Sequence, residues 1–122
     1  MYEALIPSKH QTRILLLLPS SDVDSTIRCR LIIKFLDDEH LRYEALSYVW
    51  GNPEPSKEIQ VNSSICRVGP NLHSALRRLR SENELRRLWV DAVCINQPDN
   101  AEKSHQVAQM GRVYSGAEQT IA

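Results

Sequence analysis

The chain has 122 residues, of which 15 are Lys or Arg and 15 are Asp or Glu, so its formal net charge is zero. That length makes one domain able to bury roughly two thirds of its unfolded surface, and the charge balance supplies no global field to draw it onto nucleic acid or an anionic membrane. The three cysteines, Cys29, Cys66 and Cys94, are odd in number, widely spaced and without a CxxC pair, which argues against a disulfide framework and a thiolate metal site and fits a reducing cytosol.

Residues 1–12 read as a polar lead-in containing Pro7. Arg13 and the run 14–18 (ILLLL) form a first strand, stopped by Pro19 and the turn residues after it. Five apolar residues are too few for a signal-peptide core or a membrane span. A second run, 27–36, sets Ile27, Cys29, Leu31, Ile33 and Phe35 at a period of two, which predicts a half-buried strand paired with the first. An acidic turn at 37–40 leads into a strand over 43–49 that ends on Trp50 and Gly51. Pro53 and Pro55 leave 52–56 as a loop, and the apolar positions on either side of Asn62-Ser63-Ser64 predict a small hairpin.

Gly69 and Pro70 open a helix with Asn71 as its N-cap and Leu72, Ala75, Leu76 and Leu79 at helical spacing. Arg77, Arg78, Arg80, Arg86 and Arg87, interrupted by Glu82 and Glu84, read as a solvated face with alternating ion pairs; no aromatic residue stands among them to stack on bases. Leu88, Trp89 and Val90 are an apolar run without alternation, which suits a strand covered on both faces, with Asp91 at its carboxyl end. A second helix follows Pro98, with Asp99 and Glu102 spaced as in a capping box. Val107, Met110, Gly111, Tyr114 and Ala117 make its buried stripe, Gly111 permitting close approach to the sheet. Residues 119–122 begin another strand. Strands and helices in this order place the chain in the α/β class.

In open α/β sheets, ligands collect outside the carboxyl ends of strands. Here two such ends carry unusual residues, at 47–51 and 91–97, and together they define one candidate pocket. Asp91 is the first choice for function, because a carboxylate at a strand end orients a ribose hydroxyl or a basic partner; a turn or cap aspartate is the plainer alternative. Asn96 and Gln97 offer amides to a ligand or to loop backbone. Trp50 offers a stacking face and Gly51 a close backbone approach, and Ser47 and Tyr48 complete the ligand-binding set. Glu102 joins Asp91 as a catalytic candidate, its cap position being the simpler account. Cys94, between Val93 and Ile95, reads as structural. His10, His40, His73 and His105 have no metal-ligand spacing with the cysteines, so no metal is expected.

Three blocks resemble, in order and spacing, the signature blocks of the fungal heterokaryon incompatibility (HET) domain: 43–51 (YEALSYVWG), 88–97 (LWVDAVCINQ), and Glu102 with Gln106, Val107, Met110, Tyr114 and Ala117. The resemblance runs from about residue 13 to the end, within a single HET domain over 1–122. It implies a cytoplasmic protein of fungal non-self recognition and programmed cell death signalling. Such a protein acts as a signalling and interaction module toward other HET, TIR-like or NLR-type proteins, or toward itself. It also implies a fold similar to the TIR domain, a flavodoxin-like sheet with flanking helices, here with an N-terminal strand pair and a small β-hairpin and incomplete at its C-terminus. Some TIR domains cleave NAD with a glutamate on a helix after the third strand. By that analogy NAD is a substrate rather than a cofactor, and the catalytic carboxylate would lie beyond Ala122. An NAD glycohydrolase and a non-functional fragment are therefore the alternatives to the signalling module.

Overall fold

Both strand-forming halves of the sequence merge into one mixed sheet in the computed structural model, which describes residues 2–46 and 55–121. Among these residues the strands are β1 (Gln11–Leu17), β2 (Arg28–Phe35), β3 (Glu44–Leu46), β4 (Lys57–Val61), β5 (Ser64–Val68), β6 (Arg86–Trp89) and β7 (Thr120–Ile121). The helices are α1 (Pro70–Leu79), α2 (Asp91–Cys94) and α3 (Asn100–Gly116). Across the sheet the order is β5-β4-β2-β1-β6-β3-β7. The fold is α/β, as expected, but the N-terminal strand pair and the hairpin are parts of the main sheet rather than additions beside it.

The apolar run at 14–18 explains the centre. Ile14, Leu15 and Leu17 are each no more than 1% exposed, so both faces of β1 are covered, each such side chain contributing about 1.5–3 kcal/mol of burial. β1 pairs antiparallel with β2 from Gln11↔Phe35 to Leu17↔Cys29, and antiparallel with β6 around Leu15↔Leu88. β6, β3 and β7 run parallel with β3 in the middle. The chain crosses from β3 to β6 by way of α1 and returns from β6 to β7 by way of α3. Right-handed crossovers in opposite directions put these helices on opposite faces, which accounts for Leu88, Trp89 and Val90 all being fully buried.

The hairpin forms at its expected turn. Asn62 and Ser63 have φ of 49° and 70°, the pair of positive values that a two-residue type I′ turn needs to match strand twist. The Asn62 Oδ1 atom accepts from the Leu31 amide at 3.0 Å and ties the turn to β2. Ser63 holds the left-handed conformation with a Cβ that disfavours it, so Ser63→Gly is expected to raise stability by about 0.5–1 kcal/mol. An unchanged or lower urea midpoint would contradict that.

Several local expectations are corrected. The N-cap of α1 is Gly69 rather than Asn71, because Pro70 takes the first helical position, where its missing amide needs no acceptor. On α3 the fully buried positions are Gln106 and Val113, with Met110, Tyr114 and Ala117 partly buried, whereas Val107 is 52% exposed. The inward line passes through a polar residue whose amide meets the sheet edge, and hydropathy pointed to its apolar neighbour instead. Gly111 faces open space; the close approach is at Gly116, where a Cβ would stand 3.1 Å from the Tyr43 hydroxyl. That hydroxyl donates to the Val113 carbonyl. Burial along β2 falls from 3% exposed at Cys29 to 44% at Phe35, since β4 accompanies only its first two residues. Among the described residues, no helix is long and apolar enough to cross a membrane.

Candidate functional site

β6 pairs with β1 only from Leu15 to Leu17, so the first residues of β1 reach beyond it. Their outward backbone needs partners, and α3 supplies them. Gln106 Nε2 donates to the Gln11 carbonyl at 2.9 Å, the Thr12 hydroxyl donates to Gln106 Oε1 at 2.9 Å, and Trp89 Nε1 donates to Thr12 Oγ1 at 3.0 Å. This continuous line of donors and acceptors is what allows Gln106 and Thr12 to be fully buried. The Trp89 ring meets Tyr114 edge to face at 5.6 Å.

One residue along, Arg13 is 1% exposed. Its guanidinium donates to both Glu102 carboxylate oxygens, at 2.8 and 2.6 Å, to the Cys94 carbonyl at 3.1 Å and to the Glu3 carbonyl at 2.6 Å. The Tyr2 ring covers it at 4.7 Å, and the Tyr2 hydroxyl donates to the Val93 carbonyl at 2.7 Å. Glu102 Oε2 also accepts from the Asn96 amide at 2.6 Å. The corner at 91–97 is thus clamped between the start of β1 and the start of α3, and the N-terminal lead-in takes part in the clamp.

Glu102 therefore differs from its expected cap role. Asp99 does cap α3 by accepting from the Glu102 amide at 3.2 Å, but the Glu102 carboxylate turns to Arg13 instead of reaching back, which leaves half a capping box. Arg13 was missed by sequence reasoning. Its signal was an arginine opening an apolar run, where a strand covered on both faces must bury the charge.

Asp91 stands where expected, just past the end of β6, as the first residue of α2. Its carboxylate is half-buried, and burial raises its pKa above the usual carboxylate range against the opposing pull of the neighbouring backbone amides. Burial also raises the Tyr114 hydroxyl, with the Asp91 charge as a further cause. Gln97 Nε2 donates to the Asp91 carbonyl at 2.8 Å, so this amide serves the loop. Asn96 is half-buried beside it. Cys94 is fully buried, and burial pushes its thiol up to about 12, the opposite of an activated nucleophile.

The raised Asp91 pKa has a sign. The folded state holds this proton more tightly than the unfolded state, so the favourable contribution is complete below the unfolded pKa and is lost as pH rises through the folded one. Asp91→Asn is expected to raise the denaturation midpoint at pH 7, with the gain disappearing by about pH 3. A gain equal at both pH values would show that charge burial is not its source.

The structure brings Asp91, Asn96, Gln97 and Glu102 into one corner; Ser47, Tyr48, Trp50 and Gly51 lie outside the described residues. Of the arginines in and after α1, Arg77, Arg80 and Arg86 are engaged with other segments, and Arg78 and Arg87 are exposed. Arg77 pairs with Asp24 at 2.7 Å, Arg86 with Glu44 at 2.8 Å, and Arg80 donates to carbonyls of Asp22, Val23, Ser25 and Thr26. Among the described residues no three His, Cys, Asp or Glu side chains gather as a metal site, and the three cysteines are free. A cavity of about 890 Å³ runs along β2 to the hairpin turn and reaches the clamp at Arg13 and Glu3; Asp91 and Gln97 do not line it.

A family model described as Heterokaryon incompatibility protein (HET) matches residues 43–122. Among curated proteins, Heterokaryon incompatibility protein 6, OR allele, of Neurospora crassa is 36% identical over 128 aligned positions. The alignment covers 94% of this chain but 18% of that protein, so the chain spans under a fifth of its relative's length. No solved structure matches the chain.

Proposed function

The chain belongs to the heterokaryon incompatibility (HET) family, and from that premise we propose that it is a signalling and interaction module of fungal non-self recognition. In this reading it works in the cytoplasm and promotes programmed cell death by associating with other HET, TIR-like or NLR-type domains, or with itself. One observation carries the reading. Within the matched stretch, Trp89, Cys94, Gln97, Glu102 and Gln106 all direct their polar atoms at other parts of the same chain. What remains to meet a partner is a braced surface rather than a set of poised reactive groups. Sedimentation of the purified chain, alone and with a full-length HET protein, tests this. A strict monomer at high concentration that also binds no such partner sinks it.

A second reading, a TIR-like NAD glycohydrolase, is favoured by one feature. The parallel order β6-β3-β7 is the 2-1-3 order that begins a flavodoxin-like sheet, whose ligands sit at the carboxyl ends beside the switch point. Asp91 is at that rim, half-buried and with no described side chain bonded to its carboxylate. Trp50 and Gly51 follow the parallel strand β3 in sequence. This reading expects nicotinamide release from NAD that is lost in Asp91→Ala. No release above buffer at high protein concentration rejects it for this chain.

A further inference from the structure

Among the described residues, the sheet has a gap along an inner strand. β2 is paired with β1 over its whole length, but on its other side β4 accompanies only Arg28 and Cys29. Leu18 N donates to Arg28 O and Leu36 N to His10 O, so the even residues of β2 bond to β1 and the odd residues turn their amides and carbonyls the other way. Of these, the Cys29 carbonyl is met by the Asn62 amide and the Leu31 amide by Asn62 Oδ1. Beyond the hairpin turn, the Leu31 carbonyl, both backbone groups of Ile33 and the Phe35 amide meet no partner among the described residues. The cavity of about 890 Å³ opens along this stretch, lined by Arg30, Leu31, Ile33 and Asn62, and also by Arg13 and Glu3, which belong to the clamp.

The side chains flanking the gap differ by face. Arg28, Arg30 and Lys34 are exposed on one side with no described acidic partner, with the partly buried Ile32 between the last two. Leu31, Ile33 and Phe35 lie on the other, and Phe35 is 44% exposed. We infer that the gap receives an extended peptide segment whose side chains alternate between acidic and apolar, added as a strand beside residues 31–35. It rests on the interaction-module reading and gives that module's partner a chemistry.

Charge complementarity selects the occupant. A second copy, paired antiparallel about Ile33, would set Leu31 against Phe35 but bring Arg30 and Lys34 of both copies onto one face, where like charges repel. An alternating acidic strand neutralises that face and covers the apolar one. The gap admits about five residues at roughly 3.3 Å each.

The test uses the full chain and end-capped fluorescent peptides of equal length: alternating Glu and Val, alternating Lys and Val, and Glu and Val in separate blocks. The alternating acidic peptide is expected to bind at least about tenfold more tightly than the others at low salt and to protect the Ile33 and Phe35 amides from hydrogen exchange. Ile33→Pro removes an outward amide without touching the bonds to β1; it should abolish binding and keep the circular dichroism of the parent. Arg30→Glu combined with Lys34→Glu should move the preference to the Lys peptide. Equal binding of all three peptides, or unprotected amides at Ile33 and Phe35, overturns the proposal. Self-association that Ile33→Pro abolishes also overturns it, because the gap then belongs to a second copy. A chain that ignores the peptides yet associates with a full-length HET protein overturns the edge assignment alone. One that binds the acidic peptide but no HET protein supports the edge and removes only the partner class proposed above.

Discussion

Glu102→Ala is expected to destabilise the protein by about 3–5 kcal/mol, because it leaves the Arg13 guanidinium buried without its counter-charge. The pair is 2% and 8% exposed at its side chains, so water cannot replace the lost carboxylate. The Asn96 amide loses its acceptor in the same step. Since domains of this size are stable by about 5–15 kcal/mol, the urea midpoint should fall by at least about a fifth, and the variant should be largely unfolded if the parent lies at the lower end of that range. Removing both charges tells the loss of a pair from the burial of a lone charge. Arg13→Met with Glu102→Leu should recover most of the deficit, since apolar replacements of buried pairs are often neutral or stabilising. A loss under about 1 kcal/mol in Glu102→Ala would mean that the pair is open to solvent and does not hold the corner.

Trp89→Ala is the second large effect, at about 3–5 kcal/mol. Trp89 is fully buried where β6 ends, edge-on to Tyr114 and hydrogen bonded to Thr12. Truncation empties the space between sheet and α3, and the Tyr114 contact adds about 0.5–1.5 kcal/mol to the loss. Trp89→Phe keeps most of the ring and loses the bond to Thr12, so it should cost much less. If both substitutions cost the same, the hydrogen bond rather than packing dominates, and the cavity account fails.

How much of this was legible beforehand depended on range. The run 14–18, the alternation at 27–35, the asparagine-led turn and the helical spacing at 72–79 are local signals, and each produced its element within a few residues. Periodicity reports which way a side chain faces, not what it meets. Arg13 and Glu102 are 89 positions apart, and nothing near either names the other. Gln106 faces the sheet because a strand of unequal length left a carbonyl unpaired there, a fact of register that no window around residue 106 contains. For the same reason Val107 was assigned inward and Glu102 to a cap. The position of Asp91 past a strand end was legible because the end of a strand is a local event, while whether it meets Trp50 and Gly51 turns on residues outside those described.

The buried arginine also carries the folding unit beyond the matched stretch. The family match begins at residue 43, yet the carboxylate of Glu102 inside it is neutralised by Arg13 outside it, and the flank of β6 opposite β3 is closed by β1. A recombinant piece trimmed to the matched stretch would expose one side of β6 and strand an acid in an apolar wall. Cloning boundaries for assays of this chain should therefore be drawn ahead of Tyr2, whose ring shields the guanidinium.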